Sequence, residues 1–175
     1  MEGVSTLTVN LSQVFARETS RKILLIDANL RHPSLAKQFK LEGFKGLTDV
    51  IVDGTDINTL VRETGIDNLY FLPQGSHAAH PLDILNSEKL HECIQNIENE
   101  YHYVFIDSAP VIPYADSLFL SANVDLVLLI LEADKTRWEV AREALKKLSD
   151  VGVNVFGTIL NKKKFRIPSF IYKRL

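Results

Sequence analysis

Five short, almost wholly apolar runs, two of them closed by an aspartate, constrain this chain more than any other feature. They are Ile23-Leu24-Leu25-Ile26 before Asp27, Leu69-Tyr70-Phe71-Leu72, Tyr103-Val104-Phe105-Ile106 before Asp107, Leu126 to Leu131, and Val153 to Leu160. Runs that are apolar on both faces suit strands of a parallel sheet covered by helices. The segments between them change to helical spacing. Leu7, Leu11, Val14 and Phe15 predict a helix over residues 5–18. Residues 88–100 place Leu90, Cys93, Ile94 and Ile97 on one stripe, and residues 136–148 do the same with Val140, Ala144 and Leu148. Thr136 and Glu139 have the spacing of a capping box at the start of the latter. Strand and helix in alternation predict an α/β fold, a mostly parallel sheet flanked by helices. Such sheets bind ligands beyond the carboxyl ends of their strands, where Asp27 and Asp107 stand.

At 175 residues the chain fits one domain with a sizeable core. Its 46% hydrophobic and 24% charged residues exclude wholesale disorder, a collagen-like chain and a coiled-coil rod. The longest clean apolar run, Leu126 to Leu131, falls far short of the ~20 residues that span a bilayer. Glu2, Asn10, Gln13, Arg17 and Glu18 interrupt what a signal peptide would keep apolar. A single cysteine, Cys93, excludes an internal disulfide framework and fits a cytoplasmic setting. Residues 162–175 hold six of the 20 basic groups and no acid, which leaves 14 basic against 22 acidic groups elsewhere, a net −8. An acidic body, residues 1–161, with a basic amphipathic tail, residues 162–175, argues against a nucleic-acid partner. Phe165, Ile167, Phe170 and Ile171 give that tail an apolar side suited either to packing on the body or to an anionic membrane face.

Three segments could carry chemistry. Glu2-Gly3-Val4-Ser5-Thr6 lies directly before a helix. A glycine lets backbone N–H groups approach phosphate oxygens, and a Ser or Thr hydroxyl there can hold magnesium. Taken alone, the segment is equally a plain helix start capped by Ser5 or Thr6. Asp27 and Asp107, at strand ends, can hold a magnesium ion or act as a base toward a hydroxyl.

Together these segments resemble the cytosolic domain of bacterial tyrosine kinases of capsule and exopolysaccharide synthesis, within the MinD/ParA-like P-loop ATPases. Glu2-Gly3-Val4-Ser5-Thr6 is similar to the family's phosphate loop. Leu24-Leu25-Ile26-Asp27-Ala28-Asn29-Leu30-Arg31-His32-Pro33 resembles its second motif, and Phe105-Ile106-Asp107-Ser108-Ala109-Pro110 with Asp116 its third. Gly46 to Val50, Leu72 to Gly75, Lys135 to Arg137 and Gly157 to Asn161 resemble its spacers. The resemblance implies ATP or ADP with Mg2+ as cofactors. It implies that Gly3, Val4, Ser5 and Thr6 line the phosphates and that Asn161 contacts the adenine. Ser5, Asp27 and Asp107 would hold the metal. Asp27, Asp107 and Arg31 would serve catalysis, with Arg31 near the phosphates or at a subunit interface. It also implies a homo-oligomer, a membrane polysaccharide chain-length regulator as partner, and a place at the inner face of the cell membrane.

The sequence departs from that pattern at defined points. Val4 replaces the phosphate-loop lysine, and Asn29 replaces the second aspartate of the second motif. The tail carries one tyrosine, Tyr172, where the family has a tyrosine cluster. The family's apolar strand ahead of the phosphate loop has no counterpart before Met1, so the sequence expects a truncated reading of a longer protein, with the first strand missing. The resulting expectation is a degenerate, kinase-like ATP-binding domain that works by docking. An active tyrosine autokinase, using Tyr172 or a partner's tyrosine, is the first alternative. A MinD/ParA-type positioning ATPase is the second. His77 and His80 have a metal-compatible spacing, but no further ligand stands near them, and the resemblance places them in a loop over the nucleotide pocket. Cys93 is expected in the core, and nothing decides the role of Trp138.

Overall fold

The computed structural model describes residues 2–164. Helix α1 (Val4–Thr19) leads into β1 (Ile23–Asp27). Then follow α2 (Leu35–Phe39), α3 (Leu47–Asp53), α4 (Ile57–Leu60), β2 (Arg62–Glu63) and β3 (Leu69–Leu72). The chain continues through α5 (Pro81–Leu85), α6 (Glu88–Glu98), β4 (Tyr103–Asp107) and α7 (Asp116–Ser121). It ends with β5 (Val127–Glu132), α8 (Trp138–Asp150) and β6 (Val155–Asn161).

Four strands form one sheet in the order β2-β3-β1-β4, with β1 parallel to both β3 and β4 and the short β2 antiparallel to β3. Every residue of β1 is buried. Its two faces meet two different cores, because side chains alternate along a strand. Leu24 and Ile26 join the apolar sides of α3 to α7. Ile23 and Leu25 join Val9 and Ala16 of α1, Leu35 and Ala36 of α2, and Leu69 and Phe71 of β3. The expected stripe of α6 is fully buried, Cys93 included. Ser87 starts that helix, its hydroxyl accepting the Leu90 N–H at 3.2 Å.

β5 and β6 form a separate parallel pair. Among the described residues β4 pairs only with β1, and β5 only with β6, so the strands do not join into one continuous sheet. The expectation of strands covered on both faces is corrected here. β6 alternates half-buried and exposed residues, with Phe156 70% and Leu160 57% exposed, and among the described residues α8 is the helix that packs on it. The capping box at Thr136 is also corrected. The Thr136 hydroxyl accepts the Glu132 N–H at 3.0 Å, closing the turn after β5, and the helix starts at Trp138 without a side-chain cap. Of the expected α8 stripe, Ala144 and Leu148 are buried and Val140 is exposed, as is Trp138, whose role the sequence left undecided. Lys162 to Lys164 follow β6, while Tyr172 and the apolar residues of the tail lie outside the described residues.

Candidate active site

Asp27 and Asp107 end two adjacent parallel strands and stand side by side in register, both fully buried. One Asp27 oxygen accepts the Asn29 N–H at 3.2 Å, and the other accepts those of Ser34 and Leu35 at 3.2 and 3.1 Å. Asp27 thereby staples the loop 28–34 and the start of α2 to the strand end. Asp107 Oδ2 accepts the Ser5 hydroxyl at 2.6 Å, whereas Asp107 Oδ1 is buried without a hydrogen-bond partner among the described residues. Burial pushes Asp27 up to about 6, against the three N–H donors that hold it down. Burial pushes Asp107 to about 7; the Ser5 hydroxyl opposes this, and the charge of neighbouring Asp27 adds to it.

Ser5 reaches Asp107 because α1 packs on β1 and β4, setting its first turn at their carboxyl ends. Gly3 precedes the helix at φ +85, a left-handed conformation that suits glycine, and no side chain caps the first turn. The capping role considered for Ser5 or Thr6 is therefore not taken up. Uncapped N–H groups at a helix start are a ready anion site. Val4 is the first helical residue and brings no charge there.

The second motif's other residues are held within the protein. Asn29 Oδ1 accepts the His32 N–H at 3.2 Å. Arg31 donates to both oxygens of buried Asp116, at 2.7 and 3.0 Å, and its guanidinium lies 4.3 Å from the Tyr114 ring centre. Asn161 donates to the Glu2 carbonyl at 2.8 Å. Sequence reasoning missed the lock under the loop 73–76. Buried Asp49 accepts the N–H of Gly46 at 2.8 Å, and the N–H and hydroxyl of Ser76 at 3.1 and 2.6 Å. The only signal was Gly46-Leu47-Thr48-Asp49, a glycine followed by an acid three residues on. The lock sets the loop against residues 30–33, with a cavity of about 150 Å³ between them. His77 lines that cavity, and no cluster of three His, Cys, Asp or Glu that could hold a metal occurs among the described residues.

The AAA domain family profile matches residues 2–155. Tyrosine-protein kinase YwqD of Bacillus subtilis is 32% identical over 163 residues, which cover 93% of this chain and 68% of that protein. The chain belongs to the bacterial tyrosine-kinase family. The VpsO kinase domain superposes with a TM-score of 0.88 at 33% identity, over 94% of this chain and 80% of that one. MinD of Pyrococcus horikoshii, solved with Mg-ADP, shares the fold: TM-score 0.76, 21% identity, 99% of this chain and 72% of that one. The chain spans 22% of the length of the Acinetobacter johnsonii tyrosine-protein kinase ptk, to which it is 29% identical. The P-loop ATPase fold and the parallel sheet expected from the sequence are therefore present. No helix among the described residues is long and apolar enough to cross a membrane.

The oxygens gathered at the ends of β1 and β4 fit a magnesium ion. Asp107 Oδ1 is a buried carboxylate oxygen with no hydrogen-bond donor among the described residues, and the Ser5 hydroxyl bonds the same carboxylate. Magnesium prefers such oxygen donors and completes its shell with phosphate and water rather than with an all-protein cage. A site of two carboxylates and one hydroxyl suits that division.

Proposed function

We propose that this chain is a magnesium–nucleotide-binding domain of the tyrosine-kinase type, serving capsule or exopolysaccharide synthesis, with little or no phosphoryl transfer. Its output is docking to a membrane chain-length regulator at the cytoplasmic face of the membrane. The observation that carries the reading is the Ser5–Asp107 pair with its free carboxylate oxygen, at the start of a helix that lacks the expected lysine. The uncapped N–H groups of α1 receive the phosphates. Magnesium, when bound, would offset phosphate charge between Asp107 and Ser5. Val4 puts no cationic donor at the position where the family's phosphate loop has its lysine, and one such donor is worth roughly 10²–10³ in rate.

Titration calorimetry with Mg-ADP and Mg-ATP tests this reading. Micromolar binding, abolished in the double variant Ser5→Ala with Asp107→Ala, is expected. A folded chain that binds no nucleotide up to millimolar concentration would overturn it.

One observation favours an active autokinase instead. Asp27 is pushed to about 6, close to working pH, where a carboxylate can take the proton of an attacking phenol. In that reaction the phenol oxygen gains the phosphoryl group, ADP departs, and the proton passes to Asp27. Phosphotyrosine formed by the purified chain and lost in Asp107→Ala would favour this second reading.

A further inference from the structure

Asn161 closes β6, and both ends of its amide are engaged within the protein. Nδ2 donates to the Glu2 carbonyl at 2.8 Å, and Oδ1 accepts the Lys162 N–H at 2.8 Å. A carbonyl needs a donor and an N–H needs an acceptor, so these two partners fix which way the amide faces. The Asn161 carbonyl is itself held, accepting the Ala133 N–H at 2.8 Å. Gly3 sits directly against this side chain: a Cβ there would lie 2.6 Å from Nδ2.

We propose that Asn161 is a positioning residue for the phosphate loop. It acts on the phosphates through the Glu2–Gly3 peptide rather than on the adenine. In a trans peptide the C=O and N–H point to opposite sides. Holding the Glu2 carbonyl toward β6 therefore aims the Gly3 N–H away from β6. That N–H leads the row of uncapped donors at the start of α1. The bond also ties the β5–β6 pair to the helix that packs on the four-stranded sheet. The small sheet thus sets the aim of a loop belonging to the large one. This inference rests on the nucleotide-binding reading, because it names how that same site is kept in shape.

The test compares two ligands that share phosphates and differ in adenine. Wild type, Asn161→Ala and Asn161→Asp are titrated with Mg-ADP and with magnesium tripolyphosphate. Asp keeps the shape but cannot donate to the Glu2 carbonyl. Both variants are expected to weaken both ligands by the same factor, about two- to tenfold, the worth of one neutral hydrogen bond. A loss confined to Mg-ADP would make Asn161 an adenine contact and overturn the proposal, as would unchanged binding of both ligands. Amide hydrogen exchange without ligand gives an independent readout. Asn161→Ala should speed exchange in the first turn of α1, where the Leu7 N–H bonds the Gly3 carbonyl at 3.0 Å, and leave β1 and β4 unchanged. Unaltered exchange in that turn would overturn the proposal. If wild type binds neither ligand, the nucleotide-binding reading fails, and exchange alone decides whether Asn161 sets the loop.

Discussion

The two sheets are built from similar residues and live in different surroundings. β1 reads ILLID and β5 reads VLLILE, yet every β1 residue is buried whereas β5 buries only Leu129. The difference lies in neighbours, not composition. β1 has a parallel strand on each side and helices over both faces. β5 has one partner strand, and the pair has α8 packed against it. An apolar run is a statement about what a strand could bury, and position in the sheet decides whether it does so.

The largest expected effect breaks the comparison in the core. Phe71 is fully buried against Phe39 in the helix-covered sheet, so Phe71→Ala should cost about 3–5 kcal/mol. Phe156, 70% exposed on β6, has little burial to lose, and Phe156→Ala should cost under about 1 kcal/mol. Urea unfolding of both variants checks the contrast. Equal losses would mean that the two sheets form one covered unit.

The second effect belongs to the large sheet's carboxyl end. Asp27 and Asp107 have folded-state values of about 6 and about 7 against a usual 3.8, so the folded protein holds protons that the unfolded chain has released. Stability from such raised groups is complete below about pH 4 and is lost as pH rises through about 6 to 7. At about 1.4 kcal/mol per unit, the loss is of the order of a few kcal/mol. The ligand-free protein should therefore resist urea better at pH 5 than at pH 7.5, and Asp107→Asn should flatten the dependence. A wild type that gains stability between these pH values would show that the pair is ionised in the fold. On β5 the shifted group is Glu132, held down chiefly by its hydrogen bond from Lys135, so it moves the other way and adds no loss as pH rises.

What the sequence revealed follows the same division. β1, the buried stripe of α6 and the pairing of Asp27 with Asp107 were legible because each depends on local periodicity, or on the rule that parallel neighbours end at one edge. The Ser5–Asp107 contact is the structure's own finding; the resemblance only assigned both residues to one metal site. The resemblance set Arg31 near the phosphates or at a subunit interface, and within this chain it reaches Asp116, 85 residues away, beside the Tyr114 ring. Asn161 meets the Glu2 carbonyl 159 residues earlier. A spacing pattern carries no information on which of several acids or carbonyls a long side chain will reach. Thr136 misled for a different reason. The spacing Thr-x-x-Glu fits a capping box, but the same hydroxyl satisfied a β5 backbone N–H first.

Val4 tests whether the end of the large sheet still has the shape of a working site. Val4→Lys adds a charge beside the uncapped N–H groups and the Ser5–Asp107 pair. One charge-assisted hydrogen bond to phosphate should tighten Mg-ATP binding about ten- to a hundredfold. Calorimetry on the variant reads this directly. Unchanged affinity would mean that the loop no longer presents its phosphate side to solvent.

The smallest effect sharpens the picture of the small sheet. The Thr136 hydroxyl accepts the Glu132 N–H, and the backbone N–H of Thr136 returns a bond to the Glu132 carbonyl at 2.9 Å. This turn fixes where β5 stops, at Glu132, with residues 133–137 between it and α8. Thr136→Ala should cost about 1 kcal/mol, the ordinary worth of one hydrogen bond. Amide exchange should then rise at Glu132 while the first turn of α8 is unaffected, since Thr136 does not cap that helix. Faster exchange in α8 with Glu132 unchanged would restore the capping box and remove the tie between β5 and its turn. With one partner strand among the described residues, β5 depends on that tie more than β1 depends on any single bond.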